Sequence, residues 1–181
     1  MVIDEREYEI NGVTYTVRSA EKSDAEQLSA LRVRIDGETE NMDREAGEAF
    51  IDPAGFARLI EEDGKAVNHL FLVAVARNQI VGYSRCAGSP LKRLRHKAEF
   101  GVGVLKDYWG CGIGRNLLAR SIAWADENGI AKMTLQVLET NAAAIGLYEK
   151  LGFEVEGTLK NDKLLSDGKY YDTVLMGRWN G

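Results

Sequence analysis

Residues 102–115 read VGVLKDYWGCGIGR: the end of an apolar strand, a glycine-rich turn and the first residue of a helix. Gly110, Gly112 and Gly114 alternate through the turn and remove side chains where the backbone changes direction. N–H groups are then exposed at the head of the helix that follows. The first four N–H groups of a helix have no partner inside it, and the aligned peptide dipoles add about half a positive charge there. Such a site binds an anion, with phosphate or pyrophosphate as its natural ligand. Two familiar phosphate signatures are absent. There is no G-x-x-x-x-G-K-[ST], and the dinucleotide pattern G-x-G-x-x-G fails because its sixth position from Gly110 is Arg115. On this turn alone, a structural glycine turn between strand and helix stays open as a reading.

On either side, period-2 and period-3.6 patterns alternate. AEFGVGVLK (98–106) leads into the turn, and RNLLARSIAWADENG (115–129) leaves it as a helix. Leu117, Leu118, Ile122 and Ala125 share a face of that helix and Gly129 closes it. A strand (131–139) follows, then a helix capped by Asn141 and ended by Gly152, then strands over 153–160 and 169–179. Upstream, Asn11-Gly12 supplies the positive φ of a hairpin over about 7–18. Ser23-Asp24 is a helix N-cap signal for residues 25–35, and the acidic stretch 37–47 reads as a loop. Asp52-Pro53 opens a helix that Gly64 closes. Strands over 70–76 and 80–88 flank a turn at Arg77-Asn78-Gln79, and a basic loop, LKRLRHK (91–97), follows. No repeat, low-complexity segment or linker interrupts the chain. The expectation is one α/β domain over residues 1–181, with about seven strands and four helices.

The chain has 181 residues, 45% of them hydrophobic, so it can build a core without staples. Its net charge of -5 argues against a general nucleic-acid binder. Cys86 and Cys111 are too few for a disulfide scaffold or a cysteine zinc cluster and fit a reducing compartment. His69 and His96 lie far apart without metal-ligand spacing. The acidic start MVIDEREYEI has no apolar core of a signal peptide, and the longest apolar run, Leu70 to Ala76, is too short to span a bilayer. A soluble cytoplasmic protein is expected, with no metal, nucleic-acid or membrane partner.

Further along stands VLETNAAAIGLYEKLGF (137–153). With it, the stretch from Glu99 to Met176 closely resembles the GCN5-related N-acetyltransferase (GNAT) superfamily. The family's loop, [QR]-x-x-G-x-[GA], stands here as Trp109, Gly110, Cys111, Gly112, Ile113 and Gly114. Its later element N-x-x-A-x-x-L-Y-x-K-x-G-F matches Asn141, Ala144, Leu147, Tyr148, Lys150, Gly152 and Phe153 in register. The ending matches Glu156-Gly157, Gly168, Tyr170 or Tyr171, Asp172 and Met176. The likeness covers roughly residues 14–178, weakly over the first 65. One departure is Trp109, where the family usually carries Arg or Gln.

The resemblance implies an α+β fold with a mixed central sheet, and transfer of an acetyl group from acetyl-CoA to a primary amine by direct attack in a ternary complex. The loop from Trp109 to Arg115 would hold the pyrophosphate, and the backbone of Val102, Gly103 and Val104 would pair with the pantetheine arm much as an added strand does. Asn141 and Ala144 would border that arm; for Asn141 a cap-only role is equally open. Tyr148 resembles the general acid that protonates the departing thiolate, and a phenol near its ordinary pKa of about 10 suits that role. Glu99 resembles the base of some members; an exposed strand-end carboxylate is equally open. Lys150, Arg115, Arg120 and the basic stretch Lys92, Arg93, Arg95, Lys97 are candidates for the coenzyme's 3′-phosphate, the basic stretch reading also as a solvated loop. In the family, segments near 35–50 and 160–170 build the acceptor site; Asp36, Glu38, Glu40 and Asp43 could draw a cationic amine there, or simply be solvated. A non-catalytic acyl-CoA-binding domain is the alternative. The resemblance allows a homodimer, though no residue pattern demands one.

Overall fold

The computed structural model describes residues 2–181. In chain order, β1 (Arg6–Ile10) and β2 (Val13–Ser19) form a hairpin, followed by α1 (Ala25–Glu38) and α2 (Pro53–Lys65). Then come β3 (His69–Ala76), β4 (Gln79–Gly88), β5 (Lys97–Val104), α3 (Ile113–Glu127) and β6 (Lys132–Leu138). The chain ends with α4 (Ala142–Lys150), β7 (Glu154–Leu164) and β8 (Tyr170–Trp179). The strands make one sheet in the order β1-β2-β3-β4-β5-β6-β8-β7. It has eight strands where about seven are expected, because both hairpin strands join the sheet, β2 pairing with β3. The sheet is mixed: β5 and β6 run parallel and every other neighbouring pair antiparallel.

Turn chemistry works largely as the residues dictate. Asn11 (φ 51°) and Gly12 (φ 75°) give the two positive φ values of a tight hairpin, and Arg77 (φ 50°) and Asn78 (φ 61°) repeat them between β3 and β4. Asp52 caps α2 by accepting from Gly55 N–H at 2.7 Å. Gly129 and Gly152 adopt the left-handed conformation beyond α3 and α4. Four boundaries differ. Ser23 is no cap; residues 22–24 form a 3-10 turn ahead of α1, and the Asp24 carboxylate accepts from Glu21 N–H and, bidentately, from Arg18. Helix α1 runs past Ile35 to Glu38, and α2 passes through Gly64 to Lys65. Strand β7 continues beyond Lys160, across a register shift, to Leu164.

Adjacent strand residues face opposite sides of the sheet, which assigns the helices. Phe71 and Tyr83 form a ring chain with Phe56 of α2, at centroid distances of 6.4 and 6.2 Å. Gly82, the next residue, faces α3: a Cβ there would stand 3.2 Å from Ile113. So α1 and α2 cover one face and α3 the other, and β3 is buried on both sides from Leu70 to Ala74. No helix of the described residues is long and apolar enough to cross a membrane.

Asp63, 2% exposed, ties α2 to the sheet. It accepts from Arg85 of β4 at 2.6 and 2.8 Å and lies 2.7 Å from His69 Nδ1. Burial alone would push its carboxyl up, but the hydrogen bonds from Arg85 and His69 outweigh that and hold it below the ordinary range. A carboxyl depressed in the folded state adds stability above its unfolded value, about 3.9, and that stability is lost as pH falls through the folded value. Urea unfolding across pH 2–7 should therefore show stability falling below about pH 4. Asp63→Asn should lose about 3 kcal/mol at pH 7 and show a shallower acid slope.

Candidate active site

Strands β5 and β6 pair only at Lys97 with Lys132, Ala98 with Met133 and Glu99 with Thr134. Both continue further, β5 to Val104 and β6 to Leu138, but as separate rails. Beyond Glu99 the side of β5 turned towards β6 has no ladder partner, and a cleft of about 750 Å³ lies there. Gly101 leaves it open: no atom comes within 4 Å of where its Cβ would stand. Gly103 shares that face, but its place is already filled: a Cβ there would stand 3.1 Å from the Tyr83 ring and 3.3 Å from Ile35 of α1. The Val104 carbonyl accepts from the Trp109 indole N–H at 2.8 Å. Trp109 thus fastens the glycine turn to the end of β5 with its side chain.

The glycine turn then delivers α3. Gly110 (φ 79°) and Gly112 (φ 73°) take the left-handed conformation, and Gly112 is the N-cap. The first internal helix bond runs from Asn116 N–H to the Gly112 carbonyl, so the N–H groups of Ile113, Gly114 and Arg115 lie at the open helix end. The N-terminal hairpin braces this turn from behind. Asn11 donates its side-chain amide to the Gly110 carbonyl at 2.9 Å, and Asn116 donates to the Tyr15 hydroxyl at 2.7 Å. Ile10 Cδ1 sits 2.6 Å from where a Gly112 Cβ would stand.

Across the cleft, α4 begins beyond the end of β6. Asn141 caps it, its oxygen accepting from Ala144 N–H at 3.3 Å, and both residues line the cleft. Tyr148, one turn further, also lines it. Its ring packs on Phe153 at 6.0 Å, it is 8% exposed, and among the described residues nothing hydrogen-bonds its hydroxyl. Burial pushes the phenol up to about 12. Glu99 is exposed at the cleft's inner end, where the rails part.

The structure therefore gathers Glu99, Val102, Val104, Trp109, Gly110, Gly112, Ile113, Gly114, Arg115, Asn141, Ala144 and Tyr148 around one cleft. Gly103, Cys111 and Lys150 are not in its wall. Gly103 points to Tyr83, the Cys111 sulfur lies 4.0 Å from the Trp109 carbonyl, and Lys150 is exposed at the far end of α4. Arg120 is tied to the Asp4 carbonyl. The basic stretch 92–97 sits at the start of β5, roughly 25 Å of strand away from the glycine turn, so it is not built to meet a phosphate there. Cys86 is a buried strand residue whose thiol burial pushes up to about 12.

Among the polar residues of the cleft that no motif singled out are Arg44, Tyr83, Arg85 and Gln136. A second cavity of about 640 Å³ adjoins, between residues 36–46 and 162–166. The carboxylates of this region, read from sequence as drawing an amine or as simply solvated, are engaged. Asp36 accepts from Arg44, Glu38 from Lys106 N–H, Glu40 from Ser166 N–H, and Asp43 pairs with Lys163.

Residues 28–153 match a sequence model described as the acetyltransferase (GNAT) family. A [ribosomal protein bS18]-alanine N-acetyltransferase of Haemophilus influenzae is 33% identical over 133 residues, 74% of this chain and 81% of its own. The L-amino acid N-acetyltransferase AaaT of Escherichia coli is 33% identical over 108 residues, 59% of this chain and 66% of its own. Among solved structures, a GNAT-family acetyltransferase from Streptococcus pneumoniae superposes with a TM-score of 0.88 at 29% identity, covering 92% of this chain and 99% of that one. With the parted rails, the open helix end and the family match in agreement, the chain belongs to the acetyltransferase (GNAT) family and is an N-acetyltransferase.

Proposed function

We propose that this cleft is where the acetyl group of acetyl-CoA passes to a primary amine, and that the amine enters from the α1/α2 face. The observation that carries the reading is the parting of β5 from β6 directly beside the open end of α3 and the Tyr148 hydroxyl. Acetyl-CoA supplies an acetyl thioester; the amine nitrogen bonds to the carbonyl carbon and the carbon–sulfur bond breaks. The N–H groups of Ile113, Gly114 and Arg115, with the Arg115 side chain, suit the pyrophosphate. The unpaired backbone edge of β5 around Val102 suits the amide chain of the pantetheine. Gly103 keeps a backbone role only, and the Val104 carbonyl is already taken by Trp109.

Glu99 is placed to accept a proton from the ammonium form of the acceptor, directly or through water. Tyr148 donates from a phenol whose pKa is near 12. An ordinary thiol sits near 8.5, so complete transfer from such a phenol is uphill by about three and a half pH units. Tyr148 therefore works chiefly by hydrogen-bonding the sulfur as negative charge develops, a charge-assisted bond stronger than a neutral one. The acceptors named for the relatives, a ribosomal protein's alanine and L-amino acids, share an α-amine, and we extend that class to this chain. The unpaired cysteines Cys86 and Cys111 fit a cytoplasmic setting.

Three outcomes are expected. Tyr148→Phe should lower kcat about 10- to 100-fold with the dissociation constant for acetyl-CoA within about threefold of the parent, measured by thiol release and calorimetry. Because the raised phenol keeps its proton to high pH, the wild-type rate should climb as the amine deprotonates and show no fall before about pH 10. Gly112→Ala should weaken acetyl-CoA binding at least about tenfold, since the added Cβ meets both a left-handed φ and Ile10.

A further inference from the structure

The acceptor side of the cleft carries more positive charge than an amine would ask for. Arg44 and Arg85 both line it, on the face covered by α1 and α2. Each is held by a buried carboxylate. Arg44 donates Nε and Nη2 to Asp36 at 3.0 and 3.1 Å, and Arg85 donates the same pair of nitrogens to Asp63 at 2.6 and 2.8 Å. In both, Nη1 has no carboxylate partner. The side chains remain 27% and 32% exposed, so an arriving group can reach them. A third guanidinium, Arg32, lies 4.0 Å from the same Asp36. Two arginines thus share one carboxylate, and Arg32 Nη1 is buried without a partner. Among these five side chains the guanidinium groups outnumber the carboxylates by one.

Its place on the sheet fixes what that charge can read. Arg85 stands opposite Gly101, and Ala87 opposite Glu99. Arg85 and Glu99 are therefore diagonal neighbours on one face, about 7–8 Å apart at the backbone. Between them Gly101 contributes no side chain. An acceptor with its nitrogen at Glu99 has only a few bonds to span before its other end meets the guanidinium groups. Arginine forks match the two oxygens of a carboxylate, and the buried Asp36 and Asp63 pre-set the forks.

Resting on the reading of this cleft as the acetyl-transfer site, we propose that the acceptor carries a carboxylate within a few bonds of its amine, as a free amino acid does, and that Arg44 and Arg85 bind it. A protein N-terminus, whose first residue ends in an amide, and a polyamine, with no anion at all, lack that group.

The test is acceptor-dependent thiol release from acetyl-CoA for the proteinogenic L-amino acids, each beside its carboxamide and its decarboxylated amine, with spermidine and an alanine-initiated peptide as further acceptors. At least one amino acid should exceed both of its analogues at least about tenfold in kcat/KM, the scale of a lost charge-assisted hydrogen bond. Arg44→Gln should shrink that ratio about tenfold, chiefly by raising KM for the amino acid. Arg85→Gln should do the same, and Arg85→Lys, which keeps a cation beside Asp63, gives the comparison if the Gln form does not fold. Equal or better turnover of the analogues, spermidine or the peptide overturns the carboxylate site and leaves acetyl transfer standing. Absence of both acetyl-CoA binding and turnover of any acceptor overturns the underlying reading of the cleft.

Discussion

The parallel ladder between β5 and β6 stops after Glu99 and Thr134, and the backbone beyond must find partners elsewhere or meet solvent. Leaving such groups buried and unpaired costs about 1–3 kcal/mol each. The fold manages this on both sides of the gap. Trp109 takes the Val104 carbonyl with its indole N–H, and Leu105 donates back to the Val81 carbonyl. On the other rail, β8 pairs with β6 along its whole length and keeps it straight. What remains open is the gap-facing edge of each rail, on β5 around Val102 with the helix end of α3 at its head. A ligand with alternating amide groups and a diphosphate answers both needs at once.

The same parting divides the work between the two faces of the sheet. Gly82 lets Ile113 of α3 sit directly on β4, so the open end of α3 is fixed from one face. The other face holds α1, α2 and the arginine–aspartate pairs, and there Glu99 and Gly101 border the cleft. The hairpin adds a third support. Asn11 and Ile10 press on the glycine turn, so a segment remote in sequence holds the loop's shape.

Much of this was legible before any coordinates, because its signals are local. Alternating glycines before a helix, an Asn cap and a run of helical positions through Tyr148 to a closing Gly152 each express a conformation within a few residues. The eight strands were all marked by pattern or turn chemistry, though the hairpin's entry into the same sheet was not. The acceptor side was hidden for the opposite reason. Arg85 reads as one polar residue in an alternating strand, and its meaning comes from Asp63, 22 positions earlier. Arg44 lies in a stretch that reads as a solvated loop, yet its guanidinium folds back on Asp36. Asn11 looked complete as a turn residue, and its second bond crosses to Gly110. The engagement of the acidic cluster was hidden in the same way: composition shows the carboxylates and not the N–H groups that satisfy them.

Amide hydrogen exchange with and without acetyl-CoA tests the central claim most directly, because that claim is about which backbone groups the coenzyme occupies. Slowed exchange should concentrate on residues 101–104 and 110–115, the free edge of β5 and the head of α3, with the β7–β8 hairpin little changed. Protection elsewhere, with these two segments exchanging as fast as in the free protein, would contradict the account.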